Sequence, residues 1–450
     1  MINPTRSRGS FFFLLPLAGF SFFCVFDRLG MGNVLAQVPP MMPAHDGTGT
    51  IIIPQPMRGA SPHEIRIEGG TRSADGSNLF HSFTHFNLNS GQIANFISNP
   101  AIHNILTSVV GGNASLINGL LQVTGGNSNL YIINPAGIIF GPNARLNIPG
   151  SFLATTASGI GFQDRWFQSI GKNDYASLIG SPSQFAFPSQ PGTIINAGEL
   201  AVPWGQNLTL LGGTVINTGQ LQAPGGNITI AAVPGSHLLR VSQENHLLSL
   251  EIAHPSTPST SVSSAPTLPQ LLTGGNVEQA MGVTVNPQGE VILTATNQPI
   301  PTTPGSAIVS GSVDVSSSTN GGNINLLGSR VGVLNGNLNA NGNNNGGQIL
   351  IGGDARGLGT FPHADRTFVN ESSIISANSL ISGNAGRVVL WSKEATGLFG
   401  RIEARATQQG KGGLVEISSQ GTVLINAKVD LGGRPLVPLL VVPKNINCSD

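Results

Sequence analysis

Two histidines four residues apart, in His81-Ser82-Phe83-Thr84-His85-Phe86, are the first residues whose spacing suggests chemistry. On a helix this is metal-ligand spacing. On a strand both side chains leave the same side about 13 Å apart, at ~3.3 Å per residue, too far to share an ion. No His-Glu-x-x-His context accompanies them, so packing and hydrogen bonding near an N-terminal cap is the favoured reading. Gly352-Gly353-Asp354, followed by Gly357 and Gly359, resembles a glycine-aspartate calcium repeat, but it is not iterated. Asp365, Arg366 and Glu371 read as solvated loop charges. Polysaccharide lyases and hydrolases need clustered carboxylates, as an acid and base pair or as calcium ligands beside a basic residue. Glu290, Asp314, Asp354, Glu394, Glu403 and Glu416 are scattered along the chain and form no evident tight set. A dinucleotide-binding glycine fingerprint is absent. The reading is therefore no catalytic residue, no cofactor and no metal.

The elements that carry these residues are strands. Only 9% of the 450 residues are charged, and glycine supplies 60 of them. Helical proteins cover their exposed faces with Glu, Lys, Arg and Ala, so this surface must be wetted by amides and hydroxyls instead. Short runs of Ile, Val and Leu favour strands. The formal charge is zero, which gives no basic field for nucleic acid. In Asn129–Phe152, Leu130 to Ile133 reads as a strand, Asn134-Pro135-Ala136-Gly137 as a type I turn, and Ile138 to Phe140 as the next strand. A second turn at Gly141-Pro142-Asn143 leads into Arg145 to Ile148.

Internal repeats give the architecture. Ile-Asn-x-Gly recurs from Asn196 to Asn217, and Asn-x-Thr from Asn207 to Asn227. Glycine turns followed by alternating strands recur at Gly321, Gly346, Gly383 and Gly412. A unit of roughly 20–25 residues of this kind is one coil of a parallel β-solenoid, whose apolar face is buried only when coils stack. Asn suits the turns, and stacked Asn side chains can bond between coils. Like charges stacked at the ~4.8 Å strand spacing would repel, which fits the low charge. The rival architecture is an antiparallel sandwich or barrel. Residues 232–272 hold a Pro/Ser/Thr tract too broken for a coil and read as an exposed excursion; Thr296–Gly305 reads as a smaller one. A soft boundary falls near residue 190.

The first 36 residues have a basic start at Arg6 and Arg8, an apolar stretch from Phe11 to Phe26, and Val-Leu-Ala before Gln37. That is the layout of a secretory signal peptide with cleavage after Ala36. The stretch contains Pro16 and is short for a membrane span. Of the two cysteines, Cys24 and Cys448, only the second would remain, so no internal disulfide could form.

Three blocks in order, Ser77–Leu88, Ile97–Gln122 and Leu130–Ser158, resemble the filamentous-haemagglutinin secretion domain, the haemagglutination-activity domain at the N-terminus of exoproteins exported by two-partner secretion. Downstream segments, including the one from Gly346 to Val369, look like the repeats of large cyanobacterial-type exoproteins. The resemblance implies an all-β fold, a right-handed parallel β-helix with an N-terminal cap. It implies export of an unfolded chain through an outer-membrane partner transporter, whose periplasmic domains bind the secretion domain. It implies a transporter-recognition motif at Asn134, Pro135, Gly137 and Ile138, with Ala136 where the family has Asn. It implies the same recognition role for an upstream element at Asn113, Ser115 and Gly119, with Ala114 where the family has Pro. The expected organisation is a signal peptide over 1–36, a secretion domain over 37–190, and a β-helix repeat region over 191–450. The expected role is non-catalytic adhesion or surface contact with a host or cell-surface receptor or a glycan, the protein being secreted or held at the surface by way of the periplasm. A polysaccharide-active enzyme and a truncated remnant without activity beyond secretion are the alternatives.

Overall fold

Alternating apolar residues and glycine turns produce a stack of three-stranded coils. One coil runs through Asn104–Val109, Ser115–Ile117 and Leu120–Thr124; the next runs through Asn129–Ile133, Ile138–Phe140 and Arg145–Asn147. Each strand pairs in parallel with its equivalent one coil away, as Leu130 does with Ile105 and Phe152. In this computed structural model the described residues are 41–55, 63–235, 237–241, 248–251, 265–274, 282–433 and 440–446. They all lie in the unit Pro39–Asp450. Two faces of the stack merge into a 21-stranded sheet and the third is a 12-stranded sheet. This is a parallel β-helix, wound in the right-handed sense that parallel crossovers take. The proposed signal peptide and Ala36 lie outside the described residues.

The repeats seen in the sequence are registered rungs. Asn196 pairs with Asn217, Asn207 with Asn227, and Gln348 with Asn323 and Arg387. The inward side chains form continuous rows. One row runs Leu79, Ile105, Leu130, Phe152, Leu208, Ile228, Ile324, Ile349, Val388 and Val415. All ten belong to one core. Burying each such side chain contributes roughly 1.5–3 kcal/mol. Between coils the Asn side chains form ladders. The Nδ2 of Asn104 donates to Asn78 Oδ1 at 2.9 Å, and that of Asn129 to Asn104 Oδ1 at 2.9 Å. Asn227 and Asn323 extend a second ladder from Asn207, each step 2.7 Å. Like charges do stack in places: Arg330 faces Arg366, whose Nε is neutralised by Glu394 at 2.8 Å.

The N-terminal end is closed by antiparallel pairing, of Met42–Pro43 and Thr71–Arg72 with Asn78–His85, and of Thr50–Pro54 with His63–Gly69. A distant loop clasps this cap. Asp75 accepts from Ser73, from Ser77 and from the backbone N–H of Gly180. Burial pushes the Asp75 carboxyl up, but these hydrogen bonds outweigh it and hold the group well below the usual carboxylate range.

Three departures interrupt the coils, and all leave from the same corner. They occupy residues 156–192, 233–305 and 352–365, between the first and second strands of their coils. The first supplies Gly159–Phe162, Arg165–Gln168 and Gln184–Ala186; the second supplies Leu238–Val241 and Leu248–Glu251. Together they build a five-stranded antiparallel sheet. That sheet lies on two outward rows, one holding Phe80, Leu106 and Leu153 and the other Leu211, Ala231 and Leu327, forming a second apolar core. The excursion expected over 232–272 is thus one part of a departure that continues to 305 and includes Thr296–Gly305. Much of the Pro/Ser/Thr tract itself lies outside the described residues.

Candidate functional site

The motif singled out from the sequence is a corner of the coil, and it is buried. Gly137 N–H donates to Asn134 C=O at 3.0 Å, closing the expected turn. Asn134 is fully buried, and Pro135, Ala136, Gly137 and Ile138 are buried with it. The Asn134 amide group uses both ends. Its Nδ2 donates to Asn113 C=O and to Ser115 Oγ, both at 2.9 Å, and its Oδ1 accepts from Ala136 N–H at 3.0 Å. Ser115 N–H donates to Gly137 C=O at 3.0 Å, and Gly192 N–H to Pro135 C=O at 3.1 Å. Gly137 sits at φ +125°, where any side chain is strained, and a Cβ there would lie 3.1 Å from Thr193 C=O. Asn113, Ser115, Asn134, Pro135, Gly137 and Ile138 therefore form one constellation, of which only Asn113 is exposed. Gly119 stands apart, at the following corner, where a Cβ would run into the backbone oxygens of Gln92 and Asn89.

His81 and His85 lie on the strand Asn78–His85. His81 points into the core with its ring against Phe96, centroids 5.8 Å apart. Packing is borne out there, but hydrogen bonding is not: both ring nitrogens are buried without a partner. Its rung neighbour, Thr107, also has an unpartnered buried hydroxyl. Burial alone lowers the His81 pKa from 6.5 to about 4. The unfolded chain therefore binds this proton between those two values and the folded protein does not. Stability from this residue is complete above pH 6.5 and is lost as pH falls toward 4, by up to about 3 kcal/mol. Melting curves across that range should show the loss, and His81→Leu should flatten it; an unchanged slope in the variant would contradict the assignment.

The scattered carboxylates stay scattered. Asp354 caps a short 3-10 turn and pairs with Arg387 at 3.1 Å. Asp365 pairs with Lys393 at 3.4 Å and Glu394 with Arg366. Glu416 is buried, which its sequence context did not signal; it accepts from Arg356 N–H at 2.7 Å and Ser418 Oγ at 2.8 Å. A cleft of about 560 Å³ between two of the departures is edged by His363 and by Asp365 and Lys393, which already pair with each other. Among the described residues no group of three or more His, Cys, Asp or Glu is placed to hold a metal ion, and no helix is long and apolar enough to cross a membrane.

The long parallel β-helix, capped at its N-terminal end and clad along one corner, defines the class. The family model for the TPS secretion domain matches residues 58–291, slightly more than half of the chain, and the protein belongs to that family. Its members are secreted exoproteins of two-partner systems, which cross the outer membrane through a partner transporter, and the domain itself is a transport-related, non-enzymatic one. Among solved structures, the HMW1 secretion domain from Haemophilus influenzae is 18% identical; the match covers 87% of this chain and 98% of that one, with a TM-score of 0.43. The filamentous hemagglutinin secretion domain is 14% identical, covering 90% of this chain and 100% of that one, with a TM-score of 0.35. No curated protein matches the sequence.

Proposed function

We propose that this exoprotein acts without catalysis in adhesion or cell-surface contact, and that residues 37–190 are its secretion address and 191–450 its repeat region. Cleavage after Ala36 would release the mature chain into the periplasm. The family membership carries the export half of the reading. The adhesive half is supported by the long flank of stacked loops bridged from Ser317 to Gly342, Ser379 and Ala406. It exposes Ser318, Thr319, Asn320, Asn344, Asn345, Gln408 and Gln409, a surface of hydroxyls and amides suited to a receptor or a glycan. The pairing of Asp354, Asp365 and Glu394 with Arg387, Lys393 and Arg366 supports the non-catalytic reading.

The address motif acts before folding. Folded, Asn134 offers a partner nothing, because both ends of its amide are used inside the coil. A transporter that reads Asn134, Pro135, Gly137 and Ile138 must meet them in an open chain. Co-expression with the partner transporter tests the reading. The protein should appear in the medium or on the cell surface and, once purified, should bind cells or immobilised glycans. Retention in the periplasm beside a transporter that exports its own substrate would overturn the export half; secretion without binding to any surface would overturn the adhesive half.

A further inference from the structure

His81 and Thr107 occupy the first two rungs of an inward row. The row continues Ile132, Ala154, Leu210, Ile230, Leu326, Ile351, Leu390 and Ile417, so that every later rung is apolar. The two polar residues are 1% and 0% exposed, and none of their three polar side-chain atoms has a partner. A buried polar group left unpaired weakens folding by roughly 5- to 150-fold. Nothing in the row's geometry requires this, since apolar residues fill the same place eight times. The strand that carries Thr107 adjoins the address: Asn104–Val109 leads into Asn113 and Ser115, and it pairs both with Asn78–His85, which carries His81, and with Asn129–Ile133, which leads into Asn134.

We propose that the unpartnered His81–Thr107 pair is a folding brake, a built-in defect that delays closure of the first coils and keeps the adjoining address open for the transporter. The inference rests on the reading of this chain as a transporter substrate. In a solenoid each coil is stabilised by its neighbours, and folding spreads from wherever it nucleates. Weakening the first two rungs shifts nucleation toward later coils. The Asn134 corner, on the third rung, then closes late. Once the later coils are formed, they template the first ones and the defect is tolerated.

The test uses the full chain with its transporter and compares the wild type with Thr107→Val, His81→Leu and the double variant. Thr107→Val is nearly isosteric and guards against misfolding of the larger change. Thr107→Ser, which keeps the hydroxyl, is the control. The expected result is a higher melting temperature and faster refolding in the double variant, with a several-fold smaller exported fraction and folded protein retained in the periplasm. Thr107→Ser should export like the wild type. A double variant that is more stable yet exported as well as the wild type would overturn the brake, as would variants less stable than the wild type. Failure of the wild type itself to be exported would instead overturn the underlying reading.

Discussion

Gly386→Ala should disrupt the solenoid in its C-terminal part, lowering stability by about 3 kcal/mol or more. Gly226, Gly322, Gly347, Gly386 and Gly413 form a column in which each residue sits on the backbone of the coil before it. A Cβ on Gly386 would be driven into the carbonyl oxygen of Gly347. That oxygen already accepts from Arg387 N–H at 3.0 Å, so it cannot turn aside without breaking a ladder bond. The neighbour is backbone rather than a flexible side chain, which removes the cheap route to relief. A urea melt should show a lower midpoint, and amide exchange should rise first in Gln348–Ile351 and Arg387–Ser392. An unaltered midpoint would mean that the coil spacing yields at this corner.

Asn134→Ala should damage the protein twice. Removing the amide leaves Asn113 C=O, Ser115 Oγ and Ala136 N–H without their bonds in a buried corner. The expected loss is about 2–4 kcal/mol. Export should fall as well, because the same side chain is part of the proposed address. The two effects separate by experiment. Gly192→Ala lies outside the address and crowds the same folded corner, since its Cβ would run into Pro135 C=O and Gly137 N, but it leaves the Asn134 amide available in the open chain. If both variants lose stability and only Asn134→Ala loses export, the amide is read before folding. If export tracks stability in both, the motif is a structural corner and nothing more.

Much of the architecture was legible because a solenoid writes its register into the sequence. Asn196 and Asn217, or the glycine turns before Asn323, Gln348 and Arg387, recur at coil length and pair across coils. The turn at Asn134 was equally legible from its Asn, Pro and Gly. Its burial was not, since turn chemistry says where a chain bends and not what later packs on the bend. The departures were harder to bound. Phe162, Phe167 and Phe185 belong to an outside sheet whose partner strand, Leu238–Val241, lies far along the chain, so no local pattern marks them off. The packing of His81 was legible, but its lack of a partner depends on Thr107, a rung away, and on an inward row visible only once the coils are aligned.

The shared corner from which all three departures leave has a consequence for how such a chain can change. Replacing a tight turn with the loop of residues 233–305 is about four doublings of length, and loop closure makes that cost only ~2.5 kcal/mol. The coils on either side keep their register, with Asn227 still pairing with Asn323. One edge of the molecule thus behaves as a socket. New segments can be grafted there at small loop-closure cost, while the rest of the scaffold keeps the same pitch.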